Sequence, residues 1–395
     1  MSDTIHKKKS LLADYNLHLI FAITLMAVLG VSSVAPAFPK IIETFGISEK
    51  EVGLLITVFT LPGIFLTPIL GILADRWGRK KVIVPSLIVF GIGGGACIFA
   101  QTFTQLIILR SLQGVGAAVL GSLNITLIGD MYTGSDRLQA MGYNASILSI
   151  GTASYPVLGG ALAVLGWNFP FILPLAAVPL AVIVLCTLKN PEPDNEQSSH
   201  SYLSSMLSGL KNKRVLLLFL ITMATFIILY GSIITYFPIL VDRRFAGSSV
   251  AIGLLLFIQS VTTAFAAAMI GRIHKIIRPT NVILIAFIFY TAACLIIPVT
   301  LNLYLLALPM FFFGLAMGFN MPSVQTELAS YAPMENRAVF MSLNGMILRL
   351  GQTLGPLIIG LFYSWRGLNM AFFGGGGIAV IILILIKIYD IKKTR

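Results

Sequence analysis

The sequence predicts an all-α membrane protein whose twelve transmembrane helices form two parallel six-helix repeats. Three observations predict it. Hydrophobic residues make up 57% of the 395 residues and charged residues 11%, whereas a soluble domain carries about 25% charged residues. The apolar residues gather into runs of roughly 20, the length that crosses about 30 Å of hydrocarbon at about 1.5 Å per residue. Positions 200 apart repeat the same residues across the two halves.

The elements follow in order. A basic patch, His6 to Lys9, precedes the first run at 17–38. That run exceeds the roughly 7–15-residue apolar core of a signal peptide, so it reads as a retained span. Further runs lie at 52–73, 82–100, 104–128, 140–165 and 168–188. From Lys189 to Arg214 the chain turns polar, with Pro191, Glu192, Pro193, Asp194, Glu196 and a Ser-rich segment, which is linker composition. A short surface helix is expected at Ser201–Leu210. Six more runs follow at 215–237, 250–272, 281–299, 302–325, 338–363 and 368–388. In lipid every backbone group must pair within its own segment, so these runs are helices and not open strands. The expected organisation is an N-terminal half over 1–188, a cytoplasmic linker over 189–214 and a C-terminal half over 215–395.

The net charge of +12 raises the question of nucleic-acid binding, but the charges sit in short clusters between apolar runs, where they orient a membrane protein. An even number of spans puts both termini on one side. That side holds 20 of the 27 Lys and Arg residues; the other holds Lys40, Lys50, Arg243, Arg244 and Arg366, and Arg110 and Arg349 fall within spans. Positive loops stay cytoplasmic, so the termini and linker are expected there. Cys97, Cys186 and Cys294 lie in apolar runs without metal-ligand spacing, and read as buried packing thiols. The phosphate-binding loop Gly-x-x-x-x-Gly-Lys-Ser/Thr is missing, as are a His–Glu metal pair and a nucleophile elbow. Gly91–Gly95 follows no strand. Neither an enzyme, a metal nor a cofactor is expected.

The internal repeat is specific in its Gly, Pro and Arg positions. Gly53-Leu54-Leu55 matches Gly253-Leu254-Leu255, and Gly71, Val82-Ile83 and Gly114 match Gly271, Val282-Ile283 and Gly314. Arg137, Gly151, Pro156 and Gly160 match Arg337, Gly351, Pro356 and Gly360. Parallel repeats related by an axis along the membrane normal are a transporter architecture.

Three segments then narrow the class. Gly71-Ile72-Leu73-Ala74-Asp75-Arg76-Trp77-Gly78-Arg79-Lys80-Lys81, between the second and third spans, resembles the signature loop of the major facilitator superfamily. Arg110-Ser111-Leu112-Gln113-Gly114-Val115-Gly116-Ala117-Ala118, in the fourth span, is similar to the arginine motif of its proton-coupled members. In the fifth span Gly142, Gly151, Pro156, Gly159 and Gly160 follow the antiporter motif of its twelve-helix drug:proton exporters, departing from it in carrying Tyr155 where the motif has Gly before its Pro. The resemblance covers the whole chain.

Asp75 and Arg79, four apart, share a face on a helical turn, and Asp130 ends the fourth span at the same surface. The resemblance implies that this trio latches the two halves when the cavity opens outward; an ordinary charged loop serving topology is the other reading, and the one expected for Lys80 and Lys81. Arg110 lies in the apolar plane, where a cation costs at least about 2.5–3.5 kcal/mol, so it must face a cavity or bind carbonyls. By resemblance it takes part in proton coupling; a bracket for backbone carbonyls of the first span is the alternative, and both can hold. Arg349 is expected to face the interior on the same argument. The small residues and Pro156 of the fifth span, with their counterparts in the eleventh, form either a sliding seam or plain packing.

The first span lacks the carboxylate that the family's exporters of cationic drugs often carry; Ser32 and Ser33 are its polar groups. Glu327, near the cytoplasmic end of the tenth span, is the candidate protonatable group, or else an interfacial charge, with Asp14 and His18 behind it. A cavity with arginines and no deep carboxylate disfavours cations, so a neutral, anionic or zwitterionic substrate is expected. Asn124, Asn144, Tyr230, Tyr236, Phe319, Asn320 and Arg349 are candidate cavity residues. The expected function is proton-coupled efflux of small amphipathic molecules by alternating access, from the cytoplasmic membrane of a bacterium. The expected partners are substrate, protons and the lipid bilayer, with no nucleic acid, and the expected state is a monomer. Uptake by symport or facilitated diffusion, and lipid flipping on the same fold, remain alternatives.

Overall fold

The computed structural model describes residues 11–188, 212–331 and 337–394, with side chains described to 389 and not at 337–339. The expected helix at Ser201–Leu210 and most of the linker lie outside the described residues. Twelve helices long and apolar enough to span a membrane are present among the described residues: α1 Tyr15–Phe45, α2 Glu51–Trp77, α3 Arg79–Phe99, α4 Phe103–Met131, α5 Gly134–Leu165, α6 Phe169–Thr187, α7 Lys213–Phe245, α8 Ser249–Ile273, α9 Pro279–Val299, α10 Tyr304–Tyr331, α11 Phe340–Arg366 and α12 Leu368–Tyr389. The protein is all-helical, as its composition requires.

The helices outrun the apolar runs because their ends leave the hydrocarbon and become amphipathic. The last turns of α1, Phe38–Phe45, bury Phe38, Ile41 and Ile42 while Glu43 stays exposed. Helix starts use side-chain oxygens to satisfy free N–H groups: Asp14 accepts from the Asn16 amide, Thr102 from Gln105, Asn212 from Arg214 and Ser248 from Ala251. Gly78, at φ 95°, turns the chain between α2 and α3 in a conformation that a side chain disfavours.

Among the first six helices, α1 packs on α5 and α4, α2 on α4, and α3 on α4 and α6. The last six repeat this: α7 packs on α11 and α10, α8 on α10, and α9 on α10 and α12. The two sets meet along two main seams, α5 against α8 and α2 against α11. We call the side of the chain ends the terminal face, and the opposite side the far face.

Besides 3-10 stretches such as Ala35–Ala37 of α1 and Phe169–Ala176 of α6, two helices depart from regular winding in ways that bear on the site. Helix α4 breaks at Ala118–Val119, between Phe103–Ala117 and Leu120–Met131. Helix α7 widens into a π-helix over Ile228–Tyr236, where Thr235 Oγ1 donates to the Tyr230 carbonyl at 2.7 Å. Cys97 and Cys294 are buried as expected, but Cys186 is exposed, because it sits on the outward side of α6 where an apolar thiol can face lipid.

Candidate functional site: the interface between the halves

The seams are built from residues too small to keep helices apart. On one, a Cβ at Gly253 of α8 would overlap the Pro156 carbonyl of α5, and a Cβ at Gly160 of α5 would overlap the Ser249 carbonyl of α8. On the other, a Cβ at Gly53 of α2 would lie 2.9 Å from Pro356 Cβ of α11, and one at Gly360 would meet Lys50 and Tyr236. The pairs Pro156/Pro356, Gly253/Gly53 and Gly160/Gly360 occupy equivalent places, so the internal repeat is read out twice as contact. Gly151 and Gly159 instead face α1, against Leu25 and Val28 and against the Ser33 backbone.

Hydrogen bonds cross the seams at the same levels. Thr57 Oγ1 donates to the Thr353 carbonyl at 3.1 Å, Thr60 Oγ1 pairs with Thr353 Oγ1 at 2.8 Å, and Ser260 Oγ donates to the Thr152 carbonyl at 3.1 Å. At the far face Arg243 Nε and Glu49 Oε1 form a 3.1 Å ion pair between halves. All of these lie between the midplane and the far face. Toward the terminal face, the Cβ positions of Gly71, Gly142, Gly271 and Gly345 have nothing within 4 Å. The interface is closed at the far end and parted at the terminal end.

Within the N-terminal helices, Arg79 joins Asp75, four residues before it, and its Nε donates to Asp130 Oδ2 at 2.9 Å. The trio therefore assembles, but in this conformation it ties α2, α3 and α4 of one half together and makes no bridge between halves in the contacts described. Lys80 Nζ donates to the Leu188 carbonyl at 3.1 Å, closing the end of α6.

Arg110 is 1% exposed. It donates to the Gly30 carbonyl of α1 at 2.8 Å, the Leu55 carbonyl of α2 at 3.3 Å and Gln113 Oε1 at 2.7 Å, and lies 4.3 Å from the Phe59 ring centroid. This is the carbonyl bracket weighed above, with α2 added. It corrects the picture of Arg110 in an open cavity, since three acceptors and an aromatic face enclose the guanidinium.

Arg349 is placed differently. It reaches from α11 across the α2 seam at mid-membrane, where its side chain fills the space a side chain at Gly63 would need. Its Nη2 donates to the Ala118 carbonyl at 2.9 Å, which the break in α4 has freed: the Ser122 and Leu123 amides turn to Val119 instead. Thr67 Oγ1 lies 2.7 Å from the Ala118 carbonyl and 2.6 Å from the Gly63 carbonyl, with one proton to donate between them. One turn along, Gln352 Nε2 donates to Tyr230 Oη at 2.9 Å. Arg349 faces the interior, as the cost argument requires, and keeps open surface.

Four of the candidate cavity residues are packed inside the halves. Asn124 Nδ2 donates to Thr24 Oγ1 at 2.7 Å, and Thr24 Oγ1 lies 2.6 Å from Asn144 Oδ1, so one threonine joins α4 and α5 to α1. The C-terminal helices carry a counterpart: Asn320 Nδ2 donates to Thr225 Oγ1 at 2.7 Å, and Thr222 Oγ1 to Asn344 Oδ1 at 2.8 Å. Asn124, Asn144 and Asn320 are buried, as is Tyr236, which stacks on Tyr363 at 5.1 Å. Phe319 packs toward Phe289 of α9, with ring centroids 6.4 Å apart. Buried amides need partners, and the clamps supply them to the Asn124 and Asn320 Nδ2 groups, while the Oδ1 atoms of both and Tyr236 Oη are buried without one among the described residues. Sequence reading missed Thr24, Thr222, Thr225 and Asn344, although Asn144 and Asn344 sit at the 200-residue offset. The π-helical stretch of α7 left no signal in an apolar run.

Glu327 accepts from Thr280 Oγ1 at 3.0 Å and lies 3.8 Å from Arg214 Nη2. It therefore joins α10 to the starts of α9 and α7 beneath a small pocket also lined by Leu217, Leu218 and Tyr389. Its surroundings are those of its own half, near the terminal face. Arg214 also lies 4.9 Å from the Tyr331 ring. The counterpart in the other half is Asp14, which accepts from Tyr132 Oη at 2.6 Å; burial and this carboxylate hold the Tyr132 phenol above its ordinary pKa. His18 Nε2 bonds the Leu12 carbonyl at 2.7 Å, a local contact. Near Glu327, His274 Nε2 lies 2.9 Å from Ser323 Oγ.

The family profile described as Major Facilitator Superfamily matches residues 20–245 and again 243–394. Among curated proteins, the chain is 25% identical over 364 residues to the Bacillibactin exporter of Bacillus subtilis (strain 168), covering 88% of this chain and 90% of that one. It is 26% identical over 359 residues to Multidrug resistance protein 1 of the same organism, covering 86% and 87%. Among solved structures it superposes with TM-score 0.78, at 19% identity and over 95% of this chain and 94% of the other, on a bacterial homologue of the human lysosomal transporter Spinster.

Proposed function

The chain belongs to the major facilitator superfamily, and from that premise we propose that it exports small amphipathic molecules in exchange for protons. A transporter of this fold alternates access around a midplane site by rocking one half against the other. The observation that carries the proposal is the pair of proline–glycine seams, closed at the far face and parted at the terminal face. With the Lys- and Arg-rich terminal face taken as cytoplasmic, this is an inward-open carrier ready to take substrate from the cytoplasm. Relatives named as exporters, which span most of the chain, support the outward direction.

In this reading the clamps make each half a rigid body. Arg110 binds α1, α2 and α4 together, and the Asn–Thr clamps tie α4 and α5 to α1 and α10 and α11 to α7, so that motion concentrates at the seams. The Asp75–Arg79–Asp130 cluster serves as the latch of the opposite state, engaging the other half when the terminal end closes. Glu327 is the protonatable group: neutralising it releases Arg214 at the start of α7, and inward proton flow thereby shifts the balance of states.

The experiment uses purified protein in liposomes with an imposed pH gradient and a trapped pH dye. Neutral, anionic and cationic amphiphiles are added in turn. Substrate-triggered proton movement is expected, and Glu327→Gln should retain binding while losing it. Proton silence with compounds shown to bind would overturn the antiport reading.

A further inference from the structure

We propose that Arg349 is the recognition site for a carboxylate on the substrate, and that the Ala118 carbonyl holds its place until substrate arrives. The proposal rests on the export reading above and names the substrate class. Two arginines lie well inside the spans, away from the helix ends, and they differ in what surrounds them. Arg110 is enclosed by three acceptors and the Phe59 ring. Arg349 donates to one neutral acceptor, is half-buried where Arg110 is enclosed, and forms no ion pair among the described residues. A guanidinium carries five N–H donors in a planar fork suited to a carboxylate. At the midplane, between halves parted on one side, such a cation is a functional site by default.

The exchange is balanced in hydrogen bonds. A carboxylate accepting from Arg349 replaces a neutral carbonyl with a charged acceptor, which forms the stronger bond. The Ala118 carbonyl that gives way still has Thr67 Oγ1 at 2.7 Å, whose single proton can turn to it from the Gly63 carbonyl at 2.6 Å, so an acceptor need not be stranded in the membrane. The broken turn of α4 and the threonine beside it thus make Arg349 displaceable. Displacement also undoes a cross-half bond, from α11 to α4 beside the α2–α11 seam, so binding of the acid and loosening of the halves there are one event.

The test is direct binding in nanodiscs of phosphatidylcholine alone, which removes anionic lipid as a competitor. The probes are dansylglycine and its neutral amide, alike except in charge. The parent protein should bind the acid about 10-fold more tightly than the amide. Arg349→Gln should erase that preference by weakening the acid far more than the amide, and Arg349→Lys should restore part of it. Thr67→Val should weaken the acid alone, by about 5-fold or more, because displacement then strands the Ala118 carbonyl. Equal binding of acid and amide by the parent, no binding of the acid, or a preference that survives Arg349→Gln would each overturn the proposal. Equal loss of both probes in Arg349→Gln would assign Arg349 a structural role instead. Acid preference without proton movement would sink the antiport reading and leave this site standing.

Discussion

Replacing Gly253 by Ala should drive the carrier out of the conformation seen here. The added Cβ would overlap the Pro156 carbonyl oxygen and lie 3.0 Å from its carbon and 3.1 Å from Val157 Cα. All three are backbone atoms of α5, so no side chain can swing aside, and the α5–α8 seam must widen. Overpacking of this kind costs about 1–3 kcal/mol, and about 1.4 kcal/mol is a factor of ten. Because the far end of the seam is packed only while the far face is closed, the cost falls on that state. The closed-to-open ratio at the far face should drop by about 5- to 150-fold. Gly142→Ala is the control, since nothing lies within 4 Å of its Cβ position. Spin labels at Ser48 and Ala246, on opposite halves at the far face, read the change as a distance distribution. A long-distance population should rise in Gly253→Ala and stay at the parent level in Gly142→Ala. Identical distributions in the parent and Gly253→Ala would refute the seam as the moving contact.

Two further outcomes follow from the same geometry. Arg110→Lys keeps the charge but loses the fork that reaches Gly30, Leu55 and Gln113; it should lower stability by about 2–3 kcal/mol, seen as a lower melting temperature in detergent, while probe affinity at Arg349 is unchanged. Burial lowers the pKa of His274 below its ordinary value despite the neighbouring Glu327 carboxylate, so folding favours the neutral ring. Stability should be full above pH about 6.5, fall as pH drops toward the folded-state pKa, and then level off; a slope at acid pH undiminished in His274→Gln would assign it to other groups.

The fold was legible in the chain because lipid imposes a one-dimensional rule. A backbone that must satisfy itself needs an apolar helix of fixed length, and each of the twelve runs overlaps a described span. Small-residue positions were legible for a related reason: Gly53, Pro156, Gly160, Gly253 and Pro356 recur at one offset because both seams solve the same steric problem. The sequence also required that Arg110 and Arg349 find acceptors.

Which acceptors they found was decided only by tertiary structure. Arg110 met carbonyls of α1 and α2, distant in sequence, and became enclosed. Arg349 met a carbonyl freed by the break at Ala118–Val119, which no residue type announces, and stayed accessible. The same limit explains the cavity residues: Asn124, Asn144 and Asn320 were candidates to line the opening, but a polar side chain turns to whichever face offers a partner, and Thr24 and Thr225 offered one inside. Glu327 was a lone acid in sequence and became a paired one only when α7 and α9 brought Arg214 and Thr280 to it. Hydropathy is additive along a chain, so it survives in the sequence; hydrogen-bond pairing depends on two or three distant residues meeting, so it appears only in the fold.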